Sequence, residues 1–187
     1  MPKAAALKAG RGFIVKHAGD WFRVPKKLVK SGKVDSKALL KHNDEMLKKM
    51  NAKRVAKGKA PLKQFPKAPK RDLFMGKTPG RNSPQGQLVR QQMKAEGRYR
   101  KVLGKEEFLD ANGNWQPVSK ADMGHKTSAV DFWNHGDPPK YPMPGRDAGP
   151  RSPYVRRFME DASNYEFQLP GPNRSDGATY PDYLDPK

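Results

Sequence analysis

The chain has 187 residues, enough for one domain and an extension, and a formal net charge of +19 from 38 Lys and Arg against 19 Asp and Glu. Mean hydropathy is −0.97 and no window approaches a membrane span. The absence of cysteine excludes disulfides and thiolate zinc sites.

Residues 1–34 read as irregular and basic, with short apolar runs Phe13-Ile14-Val15 and Trp21-Phe22-Arg23-Val24 that a small hairpin would accommodate. Asp35-Ser36 caps a helix expected over 36–57. Leu39, Leu40, Met46, Leu47 and Met50 recur on it at helical spacing, and Gly58 ends it. Its lysine-rich face is either a solvated surface or a contact for phosphates. Residues 58–82, with Pro61, Pro66, Pro69 and Pro79 among Lys and Gly, read as a linker. Ser83-Pro84 pairs an N-cap with proline at the first helical position, starting a helix to about Glu96 with Leu88, Val89 and Met93 inward. Phe108-Leu109 and Trp115-Gln116-Pro117-Val118 flank an Asn112-Gly113 turn and predict a hairpin. A short helix is expected over Thr127–Asn134, a loop over 136–150, and a helix after Ser152-Pro153 with Val155, Phe158 and Met159 inward. Asn164–Leu169 alternates as a strand, with Tyr165, Phe167 and Leu169 on one face. Trp115, Trp133 and Phe158 are expected in the core.

Charge divides unevenly. Residues 1–80 hold 22 Lys and Arg against 5 Asp and Glu, whereas residues 81–187 hold 16 against 14. The basic field belongs to the N-terminal extension, 1–82, and favours a polyanion partner. The nearly neutral part, 83–187, holds the residues able to do chemistry. Asp122-Met123-Gly124-His125 is followed by Ala129-Val130-Asp131-Phe132-Trp133-Asn134, then Asn164-Tyr165, then Asn173-Arg174-Ser175-Asp176-Gly177-Ala178. One histidine, a nearby carboxylate and two downstream asparagines suit a one-metal nuclease, which needs a base to activate water and oxygen donors for a hard cation. A histidine side chain can take a proton from water, so His125 is the candidate base; His17, His42 and His135 lack such surroundings, His135 beside Asp137 being the nearest rival. Asp122 either ligates metal or caps the turn before His125. Asn164 either orients the histidine or fills a turn. Asn173 offers a carbonyl oxygen suited to magnesium, or an N-cap. Arg174 has the geometry to hold a phosphate, as do Arg156 and Arg157, or the latter two solvate a helix face.

These segments, in this order and spacing over roughly Ser83–Pro186, resemble the HNH/endonuclease VII superfamily of nucleases, and within it the GH-E-like toxin domains of bacterial polymorphic toxins. The resemblance implies an α+β fold with a small ββα-metal core (the His-Me finger), flanking helices and here a basic, partly irregular N-terminal extension. It implies His125 as the general base, Asn164 as the hairpin asparagine that orients it, Asn173 in the metal shell and Asp122 as a second ligand. The glutamate that names the group does not follow His125 closely; Ser128 stands where a carboxylate is expected, so Asp131 must substitute as ligand or the acid is dispensable.

The function so implied is metal-dependent, sequence-unselective DNA cleavage, with Mg2+ ahead of Mn2+ and Zn2+ least suited. The resemblance further implies an antibacterial effector secreted or injected into a target cell, acting in its cytoplasm, and a cognate, acidic immunity protein in the producer. The first twenty residues lack a signal peptide's apolar core, which fits delivery by a dedicated apparatus and equally a cytosolic enzyme. Two alternatives stand: an RNase toxin on the same scaffold, and a non-enzymatic basic nucleic-acid-binding protein.

Overall fold

The described residues between Lys3 and Asp35, expected to be irregular apart from a small hairpin, form five antiparallel strands in this computed structural model, the expected hairpin among them. The structure describes residues 3–9, 12–66, 69–171 and 182–187. The chain is mixed α and β and divides into two units, Met1–Phe74 and Met75–Lys187, each taken by itself below. Among the described residues no helix is long and apolar enough to cross a membrane.

In the N-terminal unit, strands β1 (Lys3–Ala9), β2 (Gly12–His17), β3 (Asp20–Val24), β4 (Val29–Lys30) and β5 (Lys33–Asp35) lie in the order β3-β2-β1-β5-β4. Two-residue turns close two of its hairpins. Ala18-Gly19 and Ser31-Gly32 both have positive φ at each residue, the turn whose twist matches that of paired strands. Paired positions Ala6, Val15 and Phe22 share one face with Val24 and Val34, and that face packs under Leu39 of helix α1 (Ser36–Val55). The Asp35 carboxylate caps α1 by accepting from Ala38 N at 2.9 Å, as the sequence predicts. Leu40, expected inward, is exposed. Beyond α1 the chain turns back: the Asn51 amide donates to Leu62 O (3.0 Å) and accepts from Leu62 N (2.7 Å).

The expected linker is only partly one. Within it Leu73, Phe74 and Met75 are buried, helix α2 (Lys70–Phe74) forms, and the Phe74 ring meets Trp21 edge-on at 5.5 Å. One apolar triplet suffices to fold a stretch whose average composition is that of a linker.

In the C-terminal unit, α3 (Pro84–Ala95) starts where Ser83 Oγ accepts from Gly86 N; Val89 and Met93 are buried, but Leu88 is 48% exposed. Strands β6 (Tyr99–Val102), β7 (Lys105–Leu109) and β8 (Trp115–Pro117) form a three-stranded sheet in sequence order. Trp115 is not core: it is half-buried, with the Arg100 guanidinium 3.9 Å above its ring. Strand β9 (Asp122–His125) is followed by helices α4 (Ala129–His135), α5 (Gly145–Ala148) and α6 (Pro153–Glu160), and only then by its partner β10 (Tyr165–Gln168). The region 136–150, expected as a loop, holds α5, where a Cβ on Gly145 would meet the Phe132 and Trp133 rings of α4. Val89, Met93, Phe108, Val118, Met123, Tyr165 and Phe167 belong to one core cluster, so α3 covers one face of the β9–β10 pair.

Candidate active site around His125

Strand alternation decides which side chains share a side of the β9–β10 pair. His125 lies opposite Tyr165, Met123 opposite Phe167, Gly124 opposite Glu166 and Asp122 opposite Gln168. Met123, His125, Tyr165 and Phe167 therefore share one face, and Asp122, Gly124, Glu166 and Gln168 the other. The half-buried His125 ring lies 4.5 Å from the Tyr165 ring and 6.4 Å from Phe158, nearly parallel to the latter. Phe158 in turn stacks on Phe132 at 3.8 Å, and Phe132 on Tyr154 at 5.8 Å. These rings fix the imidazole laterally. The Tyr165 hydroxyl is buried and donates to Met159 O at 2.8 Å, so the ring against His125 is itself fixed.

Asn164 is buried immediately before β10 and holds the backbone that follows His125. Its Oδ1 accepts from Thr127 N at 2.7 Å, its Nδ2 donates to Thr127 O at 3.2 Å, and its carbonyl accepts from Lys126 N at 2.8 Å. It touches the turn, not the imidazole, so its influence on His125 passes through the main chain. Asp161 delivers Asn164. It caps the 3₁₀ turn Ala162–Asn164 by accepting from Ser163 N and Oγ, and it also accepts from the Tyr141 hydroxyl and pairs with Lys140. Burial pushes the Asp161 carboxyl up, but the hydrogen bonds from Lys140, Ser163 and Tyr141 outweigh it and hold it below its usual value. Burial, then the hydrogen bond to Asp161, raise Tyr141 to about 12. Thr127 Oγ1 donates to Asp137 Oδ1 at 3.1 Å, tying the same turn to the segment after α4.

The expected site residues are placed as follows. His125 and Asn164 come together at the end of β9. Asp122, expected as a metal ligand, lies by alternation on the opposite face from His125. Asp131 sits in the first turn of α4, where its Oδ2 accepts the Ser128 hydroxyl at 2.6 Å while Ser128 Oγ accepts from Asp131 N. This reciprocal cap explains the serine at 128. Asp131 Oδ1 makes no hydrogen bond among the described residues, so the carboxylate retains an oxygen suited to a cation. Asn173 and Arg174 lie outside the described residues. Among the described residues no three His, Asp or Glu side chains converge on a point. Of the arginine pair, Arg156 bonds Glu160 at 2.6 Å and Met75 O at 3.2 Å, whereas Arg157 lies over the Tyr154 ring. His135 is exposed at the end of α4.

Gly124 has a steric reason: a Cβ there would run into the side chain of Gln168. Gln168 Nε2 donates to Glu166 at 2.9 Å, and Arg98 pairs with the same carboxylate at 2.9 Å. Burial pushes Glu166 up, yet the hydrogen bonds from Gln168 and Arg98 leave it below its usual value. Sequence reading passed over Thr127, Asp161 and Tyr165. The Asp-x-Ser spacing of an Asx turn is the one signal that marks Asp161.

The motif residues Trp133 and Asn134 serve the tail. Trp133 Nε1 donates to Leu184 O at 2.7 Å, and the Asn134 amide accepts from Leu184 N and donates to Asp182 O. Compared with protein-family models, with curated proteins and with solved structures, the chain finds no match.

Proposed function

We propose that the chain is a metal-dependent endonuclease, a DNase with little sequence preference, acting as an antibacterial toxin. The observation that carries this reading is the pairing of β9 with β10. It sets His125 at a strand end against Tyr165, with Asn164 clamping the turn that follows, and helical backbone opens at Pro170–Gly171 directly after β10. A histidine-ended strand and an antiparallel partner are two of the three parts expected of a ββα-metal core; the third, a helix after the second strand, falls largely on residues outside those described.

In this reading His125 accepts a proton from water, and the resulting hydroxide attacks phosphorus in line as the P–O3′ bond breaks and O3′ takes a proton from solvent water, leaving a 5′ phosphate and a 3′ hydroxyl. Tyr165 and Phe158 hold the imidazole plane, and Asn164 sets the height of its backbone. Arg174 neutralises a phosphate oxygen. A bound divalent cation, magnesium before manganese, would supply charge neutralisation at the phosphate, with Asp131 and Asn173 as oxygen donors. Phosphate contacts carry no base identity, which accounts for the expected lack of sequence preference. A cell making such an enzyme needs a cognate inhibitor, and a +19 chain suits an acidic one.

The test is plasmid cleavage by the purified chain with magnesium, with EDTA, and with His125→Ala. Metal-dependent nicking lost in the variant is expected. Intact DNA in every condition with structured RNA cut would move the substrate to RNA; both intact would leave a binding protein.

A further inference from the structure

The stretch Arg23–Lys33 holds five cations in eleven residues and no carboxylate. It is an ordered ribbon, not a tail: the end of β3, a 3₁₀ turn at Lys26–Leu28, then the β4–β5 hairpin. Val24 is buried and Leu28 and Val29 pack on the sheet core, so the backbone is anchored while Arg23, Lys26, Lys27, Lys30 and Lys33 are all exposed. None of the five side chains makes a hydrogen bond or an ion pair among the described residues. Lys30 and Lys33 are directly paired across β4 and β5, two ammonium groups on one rung, an arrangement that destabilises a sheet. In the C-terminal unit, by contrast, Arg90, Arg98, Arg100, Lys140 and Arg156 each lie against a carboxylate.

The structure assigns this ribbon as a docking surface for the phosphate backbone of a nucleic-acid duplex. A regular polyanion relieves the repulsion across Lys30 and Lys33 and is met by exposed cations whose side chains have no internal partners to give up. Such contact is sequence-independent and releases counterions. Flexible lysines predominate, with one arginine, which suits point-charge attraction rather than bidentate base reading. The assignment draws on the nuclease reading only for its choice of polyanion. If both hold, a duplex on the ribbon is presented to the C-terminal unit at high effective concentration because the two are one chain.

The experiment is a fluorescence-anisotropy titration of the full chain against a short random-sequence duplex, in EDTA, over a salt series. R23Q/K26Q/K27Q/K30Q/K33Q is compared with K37Q/K41Q/K48Q/K49Q/K53Q, which removes as many exposed charges from α1. The ribbon variant is expected to bind more than tenfold more weakly at low salt. Its log–log salt slope should flatten by about 0.9 for each phosphate the ribbon no longer neutralises, well beyond the α1 variant. Equal weakening in the two variants, or none in the first, would overturn the assignment, as would binding of the intact chain to phosphatidylserine vesicles but not to the duplex. K30E guards against misfolding, because it places opposite charges across the rung. A higher melting temperature with weaker duplex binding is expected, and unchanged binding counts against the ribbon. Because no cleavage is measured, binding that survives where nicking fails sinks the nuclease reading alone.

Discussion

The two units use the same device for different ends. In each, a buried or half-buried asparagine offers both halves of its amide to the main chain of a distant segment. Asn51 holds Leu62 in the N-terminal unit, and Asn164 holds Thr127 and Asn134 holds Leu184 and Asp182 in the C-terminal one. Around Asn51 the segment held is an irregular stretch that turns back in a unit crowded with lysine. Around Asn164 it is the turn that follows His125. One local interaction thus serves packing around Asn51 and Asn134 and, in the reading proposed above, the placing of His125 around Asn164. Chemistry enters through what the clamped backbone carries, not through the clamp.

Six substitutions break or sharpen that contrast. His125→Ala has the largest expected effect, a loss of about two to four orders of magnitude in plasmid nicking with duplex affinity unchanged, read by nicking rate and anisotropy. Asn164→Ala and Asn51→Ala form the direct comparison. Each leaves main-chain groups without their partner and should cost about 1–3 kcal/mol in urea unfolding. Only Asn164→Ala should also lower the nicking rate, and Asn164→Asp, which keeps the bond from Thr127 N but loses the one to Thr127 O, should fall between. Equal nicking in Asn164→Ala and the parent would remove the positioning role.

The pH profile separates the units next. Glu166 and Asp161, both in the C-terminal unit, are held below their usual values of 4.5 and 3.8. Unfolding lets them take up protons, so the stability they contribute is complete above those values and is lost as pH falls through the lowered ones. Tyr141, raised from 10.0 to about 12, loses its share as pH rises between those two values. The fluorescence of Trp133 should therefore report acid unfolding that Glu166→Gln reduces. Arg100→Met is the smallest change: its pair with Glu107 is largely exposed, and the loss should stay under about 1 kcal/mol by thermal melting.

Caps and alternation were legible. Asp35, Ser83 and Ser152 each accept the backbone bond expected of an N-cap, and Tyr165 and Phe167 alternate inward against Glu166 and Gln168. Of the N-terminal sheet only the β2–β3 hairpin was legible, from its two apolar runs; β1, β4 and β5 were not, because they hold alanine and lysine where apolar runs are sought and because Ser31 takes a positive φ that a non-glycine seldom adopts. Leu103, 97% exposed in the turn between β6 and β7, hid that hairpin in the same way. Within the site, His125 and Asn164 could be picked out by type and order. Thr127 and Tyr165 could not, since their part depends on register. The side of the strand on which Asp122 lies could not be read either, since it depends on Asp122 and His125 sharing one strand.

The pairing of β9 with β10 also has a kinetic consequence. Thirty-nine residues, Lys126–Asn164, separate the two strands. Their closure is a long-range event, and during synthesis the histidine-bearing strand leaves the ribosome well before its partner exists. A nascent or truncated chain that ends before Tyr165 has neither the ring that flanks His125 nor the strand that aligns it. The pairing that sets Tyr165 against His125 is therefore completed only after translation has passed Gln168, whatever the order in which the intervening helices form.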